Sequence, residues 1–266
     1  MKQIVLACAV LCAVVRPLPS AAVETAQVRH LVYAFTFDVR QTGEVTNDPG
    51  TPGLALDAPG PGGLGADGTG SKSSQTTYAD GNGQTYSGHQ GDAGTISVEL
   101  VREQPDNGRV VNVSEQGRYG RNAAAATCVV YSNTYVICDP NAKVNAEEYT
   151  LLRFLGKSFV DPNTIDAKNH WQIADDVPAI KIQADYTIAS NDKGLMNIGE
   201  TRSVDQRDVG TLKSAIQSSI VYDYNRLVPI RINEYDTQRQ YGGSSGTSTS
   251  TYETTLTLVS DSATKP

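Results

Sequence analysis

Residues 179–204, AIKIQADYTIASNDKGLMNIGETRSV, contain two stretches in which apolar and polar side chains alternate. Such alternation is typical of β-strands with one buried and one solvated face. The pattern continues and predicts five successive strands, at 179–188, 195–204, 211–222, 227–235 and 250–260. Because their connections are short, consecutive strands should be antiparallel neighbours in a meander. A sheet with one apolar face must curl or be covered, so we expect a curved sheet, an open barrel or a sandwich.

The N-terminal half carries the same alternation. A strand is predicted over residues 28–40, with one apolar face formed by Tyr33, Phe35, Phe37 and Val39. Residues 95–103 and 109–115 are predicted to form a hairpin, because Asn107-Gly108 between them accepts the positive φ of a tight turn. A further hairpin turn is expected within 80–83. The fold class is therefore all-β, or β-rich α+β, with one packing helix.

Two cysteines, Cys128 and Cys138, bracket the segment CVVYSNTYVIC. A turn at Ser132-Asn133-Thr134 would place Cys128 opposite Cys138 on neighbouring strands, close enough for a disulfide. In an oxidising compartment such a pair is most often structural, and a loop this short should stabilise the fold by about 2–3 kcal/mol. A redox pair or metal ligands are the alternatives, but neither matches the spacing.

One helix interrupts the strands. Asn145 can cap it, and Glu148 follows three residues later in a capping-box arrangement. Gly156 stands at a plausible C′ position. The apolar face of this helix consists of Tyr149, Leu151, Leu152, Phe154 and Leu155. These side chains are most simply core contacts against the sheet, and a ligand-gating helix is the alternative.

Residues 1–22 have the pattern of a cleavable signal peptide, with Lys2 before an uncharged apolar run and small residues up to Ala22. We expect cleavage after Ala22, export to the periplasm or beyond, and one β-rich domain over 23–266. Removal of Lys2 and Arg16 leaves 20 basic and 29 acidic residues, a net charge of −9. Such a charge disfavours binding to nucleic acid. Within the domain, residues 46–72 are rich in glycine and proline and are predicted to be a flexible loop. No membrane span is expected in the mature protein.

Catalytic motifs are missing from the sequence. His30, His89 and His170 lack the spacing of metal ligands, and no nucleophile elbow or phosphate-binding glycine loop occurs. We therefore expect no enzyme, cofactor or metal. A pair of carboxylates brought together by folding is the arrangement that a sequence motif would not show. Trp171, the one tryptophan, is expected to pack in the core, with a place in a ligand site as the alternative.

The meander over 179–260 and a helix able to lie in its concavity resemble, as an architecture, the periplasmic lipoprotein carriers of the LolA and LolB type. The chain as a whole resembles bacterial secreted proteins. The carrier resemblance implies a half-open barrel whose apolar inner face holds acyl chains. It rests on no shared motif, and the loop over 46–72 and the cysteine hairpin depart from it.

Two functions follow as hypotheses. The first is an exported, non-enzymatic protein that binds or carries a lipid or another hydrophobic ligand on the curved sheet, lined by Tyr149, Leu152, Leu155 and Trp171. The second is a structural or protein-interaction module of the envelope or secreted space, with an envelope protein as partner. A continuous apolar cavity between sheet and helix would favour the first hypothesis, and a well-filled core the second.

Overall fold

The computed structural model describes residues 28–46, 71–78, 83–118, 122–178, 180–206, 211–241 and 248–263. In these ranges the chain forms twelve strands and one helix: β1 (Arg29–Thr46), β2 (Ser71–Tyr78), β3 (Gly83–Glu103), β4 (Arg109–Gly117), β5 (Asn122–Val130), β6 (Val136–Cys138), α1 (Ala146–Leu152), β7 (His170–Val177), β8 (Ile180–Asp192), β9 (Leu195–Gln206), β10 (Thr211–Asp223), β11 (Val228–Tyr241) and β12 (Ser248–Asp261). The predicted signal peptide lies outside the described residues. So do residues 47–70 of the predicted loop, whose last two residues, Ser71 and Lys72, begin β2.

All twelve strands belong to one antiparallel sheet. Its order is β6-β5-β4-β3-β1-β12-β11-β10-β9-β8-β7, and β2 pairs with β3 beside this row. Two meanders, β3–β6 and β7–β12, are thus joined through β1, which pairs with β3 on one side and β12 on the other. The sheet is curved and is not closed into a barrel, since β6 and β7 end the described row. The predicted meander is confirmed.

The sheet curls around the segment that joins its two ends. This segment, residues 139–169, leaves β6, crosses the concave side as α1 and the turns after it, and enters the opposite edge as β7. It is bonded to the β4 end of the sheet, because Arg109 Nη1 donates to the Leu155 carbonyl at 2.9 Å. The two halves also meet directly, with Arg202 of β9 donating to the Thr134 hydroxyl of the β5–β6 turn at 3.0 Å.

The hydrophobic core lies on this concave side. In β1 the predicted apolar face is fully buried, with Tyr33, Phe35, Phe37 and Val39 between 0% and 4% exposed. Side chains from the segment 139–169 complete the same core cluster. Burial of this face against the crossing segment replaces the second sheet of a sandwich, which explains how one open sheet covers its apolar side.

The cysteine hairpin forms as predicted. Cys128 and Cys138 are directly opposed in β5 and β6, their Cα atoms lie 4.0 Å apart, and they form a disulfide. Tyr131 N–H donates to the Tyr135 carbonyl at 2.9 Å across the turn. Thr134 takes a φ of 64°, an uncommon conformation for a residue with a branched β-carbon.

Candidate functional site

The helix α1 lies on the concave side, and its predicted apolar face turns inward except for Tyr149, which is exposed. Leu151, Leu152, Phe154 and Leu155 are fully buried. At its start, the Asn145 N–H donates to the Glu148 carboxylate at 2.8 Å, which is the bond that a capping box requires. The end of the helix differs from the prediction, because α1 stops at Leu152 and Arg153 is its C-cap.

Gly156 has a different role from the predicted C′ position. A Cβ atom at this residue would lie 2.5 Å from the Tyr131 carbonyl oxygen, so the absent side chain allows the crossing segment to touch the β5–β6 hairpin. The glycine therefore reflects close packing of two backbones, and the helix ends four residues before it.

An aromatic cluster fills the space between the crossing segment and strands β7, β8 and β10. Phe159 is at its centre, with ring-centroid distances of 5.1 to 5.8 Å to Phe154, Trp171, Tyr186 and Tyr222 in edge-on geometry. Trp171 and Tyr186 are stacked, with centroids 4.9 Å apart. Edge-on and stacked pairs of this kind are the favourable arrangements for aromatic rings.

The residues predicted to line a ligand site separate into two groups. Leu152, Leu155 and Trp171 lie together in the core cluster and are 0%, 0% and 5% exposed. Tyr149 is 40% exposed and lies outside that cluster. The three buried side chains contact other side chains of the protein, so the concave surface that they were expected to offer is occupied by the core.

A buried charge network joins the crossing segment to strands β9 and β11. Arg153 is 2% exposed; its Nη1 donates to Glu200 at 2.8 Å and its Nη2 donates to Glu234. Glu200 also accepts from the Tyr186 hydroxyl at 2.8 Å and from the Ser218 hydroxyl at 2.6 Å. Two carboxylates that are 34 positions apart in the sequence thus share one guanidinium.

Two further contacts complete this network. The Thr150 hydroxyl donates to Glu234 at 2.8 Å, and Arg202 Nη1 lies 4.0 Å from Glu200. Two arginines therefore face two carboxylates, and the formal charge is balanced. The network holds the crossing segment against the sheet. It contacts α1 through Thr150, the helix cap through Arg153, and the sheet through β9, β10 and β11.

The pKa values of the two carboxyl groups are shifted in opposite directions. Burial alone would raise the pKa of Glu200, but Arg153, the Ser218 hydroxyl and Arg202 outweigh it and hold that pKa below its usual range. For Glu234, burial outweighs the attraction of Arg153 and raises the pKa. Ser218 Oγ also lies 3.1 Å from Glu234. Since a hydroxyl carries one hydrogen, Ser218 can donate to Glu200 and accept from Glu234 when that carboxyl is protonated.

Sequence reasoning missed this network, although a signal for it exists. In β9 the inward residues are Met196, Ile198, Glu200 and Arg202, so two charged residues follow the apolar phase of the alternation. Glu234 likewise follows Ile232, and Ser218 stands between two isoleucines in the same phase. A charge in the apolar phase of a strand indicates a buried polar partner. The partner itself, Arg153, comes from another part of the chain and has no local signature.

The outer face of the sheet, which is turned away from α1, carries a cleft of about 340 Å³. Its outward side chains form two adjacent rows across β8, β9, β10 and β11. The first row is Asp185, Thr201, Gln217 and Tyr235, and the second is Gln183, Ser203, Ala215 and Thr237. The middle positions are mostly small and the ends are larger, which creates the depression.

The histidines lie on or near the outer face and are dispersed. His170 Nε2 is 3.5 Å from Asp185, a residue of the cleft, and His170 Nδ1 is 3.7 Å from Asp166. His89 lies 2.5 Å from Asp38, and His30 lies 3.6 Å from Glu99. Across the described residues, no group of three or more histidine, cysteine, aspartate or glutamate side chains could hold a metal ion.

No helix in the described part of the chain is long and apolar enough to span a membrane. Comparison with known proteins gave no match to a protein family, to a curated protein or to a solved structure.

Proposed function

We propose that the protein is an exported, non-enzymatic binding module whose working surface is the outer face of the sheet. The observation that carries this proposal is the filled concave side: the aromatic cluster around Phe159 and the network around Arg153 occupy the space where a carrier would hold its ligand. A module that binds partners with its exterior needs no such space. This favours the interaction hypothesis over the hydrophobic carrier.

Export is part of the same proposal. The signal pattern over residues 1–22 supports it, and the Cys128–Cys138 disulfide is the kind of bond that persists in oxidising compartments. We expect the mature chain to begin at Val23. Expression of the full chain in a bacterial host, followed by mass spectrometry of the periplasmic and secreted fractions, measures the new N-terminus. An intact Met1 in the cytoplasmic fraction would remove export from the proposal.

The paired carboxylates argue for a structural role rather than for catalysis. Glu200 is fully buried, and both carboxylates are held by Arg153 beneath α1. A glycosidase-type pair would need a substrate bond between its two carboxyl groups. In this protein the position between them is taken by a guanidinium and the Ser218 hydroxyl.

A hydrophobic carrier is the second candidate, favoured by the position of α1 on the concave side of a curved sheet. Displacement of the segment 139–169 would expose Leu152, Leu155 and Trp171 together. The test is uptake of a fluorescent fatty acid by the delipidated protein, with Trp171 emission as a second readout. We expect no saturable uptake. Stoichiometric uptake with a change in Trp171 emission would replace the proposed module with a carrier.

A further inference from the structure

We infer that the outer-face cleft binds carbohydrate, a chain of β-linked pyranose units with equatorial substituents; this rests on the proposed use of the outer face. The volume of the cleft, about 340 Å³, lies at the small end of the range for ligand pockets, which begins at ~300 Å³. Because the cleft lies on a sheet face and is lined by exposed side chains, it can receive an internal unit of a longer chain.

The shape of the cleft comes from the sizes of the side chains along its two rows, which are mostly small in the middle and larger at the ends. Thr201, Ser203 and Ala215 form the low middle, and Tyr235 rises at the β11 end. The neighbouring Gly199 continues the low region, since a Cβ atom there would have no atom within 4 Å. Gln183 and Asp185 form the opposite wall on β8.

Tyr235 supplies the apolar contact. Its side chain is 45% exposed on the outer face and lies directly opposite Gln217 in the neighbouring strand. An equatorially substituted pyranose presents axial C–H bonds on both faces of its ring. Those faces are apolar and weakly positive, so they stack on the negative face of an aromatic ring.

The remaining side chains supply hydrogen bonds to hydroxyl groups. Gln183 and Gln217 each offer an amide donor and acceptor, and Thr201, Ser203 and Thr237 offer hydroxyls. Asp185 is held by Gln172, whose Nε2 donates to Oδ1 at 2.5 Å. In the described part of the chain its contact with His170 also uses Oδ1, which leaves Oδ2 as an acceptor for a sugar hydroxyl.

The charge of the cleft selects against other ligand classes. Among the described residues that line the cleft, Arg202 is the one cation, and its side chain turns inward to Thr134 and Glu200. The nearest exposed cations on the outer face, Lys181, Lys213 and Arg239, stand in the next row along the strands, outside the lining of the cleft. Apart from Tyr235 and Ala215, the outward side chains of the cleft are polar, which disfavours an acyl chain. Uncharged hydrogen-bonding groups and one carboxylate, that of Asp185, beside one exposed aromatic ring match a neutral sugar.

The experiment is isothermal titration calorimetry of the mature protein with cellohexaose and with chitohexaose, with inorganic phosphate and laurate as probes of the other classes. We expect saturable binding of at least one hexasaccharide and none of phosphate. Y235A should weaken binding at least tenfold, whereas Y235F should bind within about threefold of wild type, because stacking needs the ring and not the hydroxyl. A215Q, which fills the low middle without removing a cleft group, should also weaken binding at least tenfold.

Y135A is the matched control, because Tyr135 is 37% exposed on the β5–β6 hairpin, away from the cleft. Its affinity should equal that of wild type, and circular dichroism should show all four variants folded. Absence of binding to both hexasaccharides, or equal binding by Y235A and wild type, would overturn the carbohydrate assignment and leave the proposed module standing. Binding of laurate would instead overturn the module.

Discussion

Arg153 is the residue on which the packing of the concave side depends. A fully buried guanidinium loses its hydration, and only well-placed carboxylates can offset that loss. Glu200 and Glu234 do so at the Nη1 and Nη2 atoms of Arg153, and their proximity raises the pKa of the guanidinium. The same cation also lies 4.9 Å from the ring centroid of Phe154, which adds a cation–π contact.

Replacing this residue should be strongly destabilising. R153M keeps most of the side-chain volume but removes the cation that bonds both buried carboxylates and leaves Glu200 with the more distant Arg202, at 4.0 Å. We therefore expect a loss of about 3–5 kcal/mol in the free energy of unfolding. Urea denaturation monitored by circular dichroism measures it. R239M is the matched control, because Arg239 is exposed in β11, and it should stay within about 0.5 kcal/mol of wild type. A similar small effect of R153M would show that the network contributes little.

The two carboxylates of the network should give opposite pH dependences. The lowered pKa of Glu200 means that its stabilising contribution is present above its unfolded value, about 4.3, and is lost as the pH falls through the folded value. The raised pKa of Glu234 means that its contribution is present below about 4.3 and is lost as the pH rises through the folded value.

The test compares E200Q and E234Q with wild type in urea denaturation from pH 3.5 to pH 7. Relative to wild type, E200Q should be most destabilised near pH 7 and should approach wild type as the pH falls. E234Q should match wild type most closely at low pH, because its neutral amide resembles the protonated carboxyl, and it should become the more stable of the two as the pH rises through the folded pKa of Glu234. Parallel pH profiles for the two variants would contradict the assigned pKa directions.

At the scale of elements, the crossing segment and the β5–β6 hairpin are held together by close backbone contact. Gly156 stands where a Cβ atom would meet the Tyr131 carbonyl oxygen at 2.5 Å and its carbon at 2.8 Å. Both atoms belong to the backbone of a hairpin closed by a disulfide, so they cannot move aside as a flexible side chain could. An added methyl group therefore forces the two elements apart.

Two glycine substitutions separate this effect from the general response to alanine. G156A should lower the free energy of unfolding by about 1–3 kcal/mol, in the range for overpacked sites. G199A introduces the same methyl group into open space within β9 and should be neutral or stabilising by about 0.4–1 kcal/mol, since it reduces the freedom of the unfolded chain. Thermal and urea unfolding measure both. Equal stability of the two variants would mean that the segment can shift away from the hairpin.

The elements differ in how far the sequence alone predicts them. Strands β8–β12 and the Asn107 and Thr134 turns follow from local alternation and turn chemistry, because one face of each strand is buried. The strand β2, with its serines, threonines and glutamine, shows no such alternation and was not predicted. The predicted end of α1 is wrong because Gly156 is needed for its contact with the β5–β6 hairpin and not to end the helix. In the sequence, a glycine with either role looks the same.

The candidate sites divide in the same way. Burial of Leu152, Leu155 and Trp171 could be expected from the pattern, but their neighbours could not, since the aromatic cluster collects residues from α1's segment and three strands. The outer cleft depends on the registers of four strands, which align small residues from β9 and β10 between larger ones from β8 and β11. The alternation in the sequence assigns each of these residues to the outer face of its own strand, but it does not show which residues of neighbouring strands lie side by side.

At the scale of the whole molecule, the position of β1 decides how the sheet holds together. The first described strand pairs with the last, with Leu31 opposite Asp261, and also with β3. Arg29 closes this junction with two bonds to Asp261, at 2.9 and 2.6 Å. In the described part of the chain, β1 and the segment 139–169 are the two main connections between the meanders, and the hydrogen bond from Arg202 to Thr134 adds a direct contact. The strand β1 lies in the middle of the sheet, and the segment 139–169 crosses its concave side, so loss of either one exposes the common core.

This topology predicts one cooperative unfolding transition, although chains longer than about 150 residues commonly populate intermediates. Trp171, the single tryptophan, stands in β7 at one end of the sheet, so its fluorescence reports the β7–β12 meander, whereas far-ultraviolet circular dichroism reports both meanders. We expect the two urea transitions to coincide in wild type. In R153M they should move together to lower urea, because the network fastens the segment that both meanders share. A fluorescence transition that precedes the dichroism transition in wild type would show that the β7–β12 meander unfolds by itself, and that β1 is a connection rather than the common centre of the fold.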